Sequence, residues 1–281
     1  MKTRIVVVSL IGAVFFVLNT FVANAGVPLN NVEGVGGIAF NPLAYTAGTP
    51  FDDTEKATGV GSLKGAVDKP QFGIWRIRLN DVKADWTSYS VATTFFDRLE
   101  VSYANEIIAA GGPNISKNNV GVKGLLVKEN AFDTKWVPAV AVGAVYKNTT
   151  YAVFDGVDDH GYDYYAVATK LITQLPRPVL LSGGIRSTEA KYTGVFGFGN
   201  KRGLAGFGNV DVILPGNFAV GFEYEQGAKV ASDFTNANYY DAHVAWLANK
   251  NLTLVAAYVN TGDSHKTGLG DGFVLNAQYA F

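Results

Sequence analysis

The feature that most constrains this 281-residue chain is an alternation of side chains that returns again and again. In NFAVGFEYEQ, Phe218, Val220, Phe222 and Tyr224 fall on one side of an extended backbone, and Ala219, Gly221, Glu223 and Glu225 on the other. Tyr240, Ala242, Val244 and Trp246 alternate in the same way with Asp241, His243 and Ala245. FVLNAQYAF sets Phe273, Leu275, Ala277, Tyr279 and Phe281 against Val274, Asn276, Gln278 and Ala280. A period of two with unlike faces is the pattern of a strand between two different environments. Segments of this kind, separated by Gly, Asn, Asp and Pro, are expected at 72–80, 86–96, 98–106, 119–128, 136–147, 161–172, 178–188, 204–214, 217–226, 238–248, 251–261 and 271–281.

The environments follow from what the chain contains and what it lacks. Aromatic residues make up 13% of it, against 17% charged residues. Beyond the first residues, the longest largely apolar uncharged run is Trp136–Tyr146, too short for a helical membrane span of about 20 residues. A membrane would therefore be crossed by strands, and the fold class expected is all-β: a transmembrane antiparallel up-and-down β-barrel of about 12 strands. Trp136 and Tyr146 share a strand face, the spacing expected of two interfacial aromatic girdles.

Loop lengths carry a second signal. With Phe281 at the periplasmic rim, Asp97–Arg98, NAFDTK, TQLPRP, PGN and ANKN are short turns on that side. Ile107–Asn118, Asn148–His160, Glu189–Gly203, Gly227–Ala237 and Thr261–Gly270 are longer loops on the other, with Asp81–Asp85 the one short external connection. This is the asymmetry of outer-membrane barrels. Closure of the last strand against the first removes both sheet edges, which hydrocarbon cannot solvate.

Lys2 and Arg4 precede an apolar run from Ile5 to Leu18, and Ala23, Asn24 and Ala25 form an A-x-A site, so residues 1–25 are expected to be a cleaved secretory signal. Without Lys2 and Arg4 the chain has 21 basic against 24 acidic residues, a charge of −3 that gives no reason to expect nucleic acid. The absence of cysteine excludes disulfides, thiolate metal sites and acylation at the mature N-terminus. Residues 26–70 are rich in Gly and Pro and break the strand rhythm, yet Ile38, Phe40, Leu43 and Tyr45 are too apolar for a solvated leader. This segment is expected as a plug or periplasmic cap before a barrel spanning 71–281.

The terminal Tyr279 and Phe281 resemble the C-terminal aromatic signature of bacterial outer-membrane β-barrels, porin-like proteins among them. That resemblance implies location in the outer membrane of a Gram-negative bacterium, contact with its lipid and lipopolysaccharide, and recognition by the barrel-assembly machinery. GVPLNNVEGVGGIAFNPLAY is similar to the start of an uncharacterised proteobacterial exported-protein family, which implies no activity.

Machinery for chemistry is lacking. EGVGGIAF has neither the P-loop spacing nor the third glycine of a dinucleotide fingerprint. Outer-membrane phospholipases carry a Ser two residues after a catalytic His, but His160, His243 and His265 are followed at that distance by Tyr162, Ala245 and Thr267. Asp155, Asp158, Asp159 and Asp163 match no EF-hand loop and read as a solvated acidic loop. No catalytic residue, metal or cofactor is expected, and the chain is not expected to be an enzyme.

Charge inside a barrel must line water or be paired. The pore-lining residues expected are Arg76, Arg78, Glu100, Glu106, Arg186, Asp211, Glu223, Glu225, Asp241 and His243. Acidic groups between 204 and 248 would face arginines elsewhere on the circumference. In Lys123, Asp163 and Lys170 the facing is ambiguous, since both faces of their strands are partly apolar. The function expected is a passive diffusion channel for small polar solutes. The alternative is a non-conducting barrel that acts through its external loops, above all 192–203, where Tyr192, Phe196 and Phe198 stand among glycines.

Overall fold

A computed structural model describes residues 29–50, 66–149 and 157–281. The expected signal peptide, residues 51–65 and Asp155 lie outside the described residues. Two short paired strands, β1 (Leu29–Asn30) and β2 (Gly36–Gly37), come first. Twelve long strands follow: β3 (Gln71–Leu79), β4 (Ala84–Phe95), β5 (Leu99–Ala109), β6 (Ile115–Val127), β7 (Ala139–Thr149), β8 (His160–Ile172), β9 (Val179–Ala190), β10 (Phe198–Leu214), β11 (Phe218–Glu225), β12 (Tyr239–Leu247), β13 (Leu252–Asn260) and β14 (Asp271–Ala280). They form a closed antiparallel barrel in chain order, with β14 paired to β3 along its whole length.

The alternation sorts side chains between two surfaces. On β14, Phe273, Leu275 and Tyr279 are exposed on the outer wall, while Val274, Asn276 and Gln278 are buried inside. Phe222, Tyr224, Val244 and Trp246 continue the outer apolar belt. Tight turns join the strands at the rim that holds Phe281. In one of them Phe96 and Asp97 both have positive φ, the geometry that matches the twist of a strand pair, and Arg98 N–H donates to the Phe95 carbonyl at 3.0 Å.

Three expected boundaries move. Trp136 is not in a strand: Pro138 lacks the N–H that a ladder needs, β7 begins at Ala139, and Trp136 stands 74% exposed in the turn. Alternation through Ile107, Ile108 and Ile115 continues β5 and β6, shrinking their hairpin to residues 110–114. The strand expected from 204 begins at Phe198, with a register shift against β9 between Phe198 and Gly203.

Residues 29–49 run inside the cylinder. Asn31 organises the segment: its Oδ1 accepts the Glu33 and Val35 N–H groups, and its Nδ2 donates to the Phe40 carbonyl. Gly37 passes so close to the Asn41 carbonyl that a Cβ there would collide with it. Val32, Ala39 and Phe40 pack in one apolar cluster with Trp75, Ile77, Trp86, Ile115 and Val274 of the wall. At the junction of first and last barrel strands, Asn30 donates to the Gln71 carbonyl and, through its N–H, to Gln278 Oε1 at 2.7 Å. The Asn30 carbonyl in turn accepts Trp75 Nε1 and Gln278 Nε2.

Candidate functional site in the barrel lumen

The site is built where inward-facing charges meet the lumen segment. Glu33 lies at its centre, bonded to Lys147 Nζ and 3.2 Å from Lys117 Nζ, with Arg186 at 3.5 Å from its second oxygen. Each cation has a second carboxylate on the wall. Lys117 meets Glu106 at 3.1 Å, Lys147 meets Asp163 at 2.7 Å, and Arg186 meets Glu225 at 3.4 Å. All of these groups are buried, so each charge relies on its partners rather than on bulk water.

Two other wall carboxylates hold backbone. Glu223 accepts the N–H groups of Ala39, Phe40 and Asn41 at 3.1, 2.9 and 3.3 Å. Glu100 accepts those of Gly36 and Ala47 at 2.8 and 2.7 Å, beside Lys123, which donates to the Gly36 and Tyr45 carbonyls. The ring order sets β6, with Lys117 and Lys123, six strands from β12, with Asp241 and His243. His243 is clamped between Asp241, 2.7 Å from Nδ1, and Asp211, 2.8 Å from Nε2.

From the rim opposite Phe281, the connection between β9 and β10 enters the lumen. Residues 191–197 turn inward: Val195 is buried in the same apolar cluster as Phe40, and the Thr193 carbonyl accepts Lys117 Nζ at 2.7 Å and Lys147 Nζ at 3.3 Å. Tyr192 packs edge-on against Phe196 and Phe234. The same two lysines therefore tie down Glu33 from one side and this loop from the other. A cavity of about 70 Å³ remains beneath the external loops, bordered by Phe40, Trp86, Arg186, Tyr192 and Tyr239.

Glu100, Glu106, Arg186, Asp211, Glu223, Glu225, Asp241 and His243 all point inward and are buried. Arg76 and Arg78 require correction: they lie on the outer wall with Phe72 and Ile74, their side chains more than half exposed. The reason lies in the lumen segment. It is apolar around Val32 and Phe40, so Trp75 and Ile77 take the inner face, and a one-residue change of facing sends both arginines outward. Lys123 and Asp163 face inward, and Lys170 pairs with Glu129 at the periplasmic rim. Asp163 therefore belongs to the lumen and not to an external acidic loop. Sequence reasoning passed over Lys117, Lys147 and Glu33. The signal for Lys117 was present, because it shares a strand face with Asn119 and Lys123, opposite Val120 and Val122.

At the periplasmic rim, half-buried Asp68 bridges to β4 through its N–H, donated to the Thr94 carbonyl at 2.8 Å. Burial, reinforced by the Asp97 carboxylate, pushes its carboxyl up to about 6.

No curated protein matches the sequence. Among solved structures, the KdgM porin superposes with a TM-score of 0.55 at 12% identity, covering 75% of this chain and 99% of the porin. The KdgM porin in complex with disordered oligogalacturonate gives 0.50 at 12% identity, with 75% and 99% covered. The NanC porin gives 0.49 at 9% identity, with 75% and 98% covered. At these identities the likeness is one of fold: the chain is a closed 12-stranded β-barrel of the kind seen in the KdgM porin. By its match over residues 26–278, the chain belongs to the DUF3034 family, described as a protein of unknown function.

Proposed function

We propose that this protein is an outer-membrane channel for small polar solutes, closed by the segment its own chain places in the lumen. The observation that carries the reading is the way the segment is held. Glu100, Lys123 and Glu223 bind its backbone, and Glu33 is bound through ionic contacts. A wall meant only to be filled is served by apolar side chains, whereas charged groups suit a wall that also meets water. With the segment displaced, the lysines of β6 and β7 would face the carboxylates of β10–β12 across a wet lumen. The transverse field would then draw in and briefly pair with charged or polar solutes, without chemistry or an energy source. The KdgM porin, of the same fold, has been solved with the polar saccharide oligogalacturonate, which supports a polar solute here.

One observation favours a second reading, a non-conducting barrel that acts through its external loops. Glu106, Lys117, Lys123, Lys147 and Glu223 are all fully buried. Single-channel recording in planar bilayers separates the two. A Cβ on Gly121 would lie 2.6 Å from Val35 Cγ1 and closer still to Ser102 Oγ, so Val35→Cys with Gly121→Cys, made with Ser102→Gly to clear the space, pins the segment in an otherwise cysteine-free chain. Current steps are expected in the wild type and the reduced variant, and loss of steps on oxidation. Folded protein without steps in any of these states, or in Glu33→Ala, would reject the channel and leave the closed platform.

A further inference from the structure

Arg76 and Arg78 stand on the outer wall, in the half of β3 that leads to the external rim. They lie on the outer face of β3, among Phe72, Ile74, Phe273 and Leu275, with side chains 56% and 51% exposed. A cation on the lipid face costs more the deeper it lies, and Arg76 sits a full pleat further from the strand end than Arg78. Both reach Asp85 on β4, Arg76 at 2.8 Å, and Arg76 also donates to Thr87 Oγ1 at 2.8 Å. One carboxylate against two guanidiniums leaves a net positive charge.

Next to this pair the outer wall is hollow. A groove of about 540 Å³ opens between Ile74, Trp246, Leu254 and Leu275, where Ala256 and Ala277 leave the space free, and Arg76 borders one end. The register gives its direction. Arg76 pairs with Leu275 and Leu275 with Ala256, while the neighbouring outward set towards the periplasmic rim is Ile74, Ala277, Leu254 and Trp246. The groove therefore crosses β3, β14, β13 and β12 over one pleat of their length, with the Arg76 row along its external edge.

We propose that this face is a binding site for an outer-leaflet lipid whose phosphorylated headgroup carries a net negative charge. The phosphate sits on Arg76 and Arg78, and an acyl chain lies in the groove below. Charge and orientation agree: an outer-leaflet lipid carries its anionic head at the external interface and its chains towards the midplane. The guanidinium fork suits phosphate oxygens. The site is independent of whether the lumen conducts.

Trp246 lines the groove and reports on it. The full-length protein in detergent is titrated with brominated-chain phosphatidylglycerol or phosphatidylcholine, and Trp246→Phe identifies the signal that belongs to the groove. Phosphatidylglycerol is expected to quench Trp246 at a mole fraction about fivefold lower than phosphatidylcholine, the effect of about one net cation at an anionic lipid surface. Arg76→Gln with Arg78→Gln should abolish the difference, and Asp85→Asn should widen it by about another fivefold. Heat-dependent gel mobility checks that each variant is folded, and Asp85→Asn keeps the test open should the double variant fail to fold. Equal quenching by both lipids in the wild type overturns the proposal. So does binding of inorganic phosphate to the arginines that leaves quenching by phosphatidylglycerol unchanged, which would assign them to a free anion. A dimer that the double variant dissociates would likewise overturn it, giving the face to a second copy of the chain.

Discussion

The inner and outer walls of the barrel are made by the same strands, residue by residue, yet they follow different rules. Outside, Phe222, Val244, Leu275 and Tyr279 face one uniform solvent, lipid, and almost any apolar side chain serves. Inside, each position faces a particular partner. Glu223 meets three backbone N–H groups, Lys147 meets Glu33 and Asp163, and Trp75 meets the carbonyl of Asn30. The comparison teaches that the outer wall is specified by composition and the inner wall by pairing, so the inner wall should be far less tolerant of conservative change.

The largest effect is expected where pairing is densest. Glu33→Ala leaves Lys117 and Lys147 short of a carboxylate in a buried site, and should weaken seating of the lumen segment by about 3–5 kcal/mol. Hydrogen exchange at the Val35 and Phe40 amides reads this directly. On the outer wall, Leu275→Val should be nearly silent in a folding titration into lipid. Equal tolerance of the two walls to conservative change would break the comparison.

Glu223→Gln sharpens it. The variant keeps one acceptor oxygen but loses the charge, and should lower protection at Ala39, Phe40 and Asn41 by about 1–3 kcal/mol while leaving the outer belt untouched. The smallest effect belongs to the rim, where neither wall's rule applies. Because the Asp68 carboxyl is raised to about 6 from an ordinary value of 3.8, the folded state favours its protonated form. Its contribution is therefore full below about 3.8 and lost as pH rises through about 6. Exchange at the Asp68 amide should quicken over that window, and Asp68→Asn should remove the dependence.

The same contrast explains how far the sequence could be read. All twelve strands were legible because lipid imposes a period of two. Trp136 misleads because an aromatic ring in the right rhythm reads as strand, while Pro138 decides the boundary. Arg76 and Arg78 misled for a deeper reason. The rule that charge faces inward assumes water in the lumen, and here Val32 and Phe40 occupy it. Lys117 and Lys147 found their partner in Glu33, 84 and 114 positions away in the chain, a separation no local pattern can report.

Asn30 holds two strands that are far apart in sequence, β3 through the Gln71 carbonyl and β14 through Gln278. A ring of strands has one seam where its first and last strands meet, and here a single asparagine of the interior stitches across it. Sealing that seam and lodging the inner thread therefore draw on the same hydrogen bonds, so opening the first removes part of what holds the second.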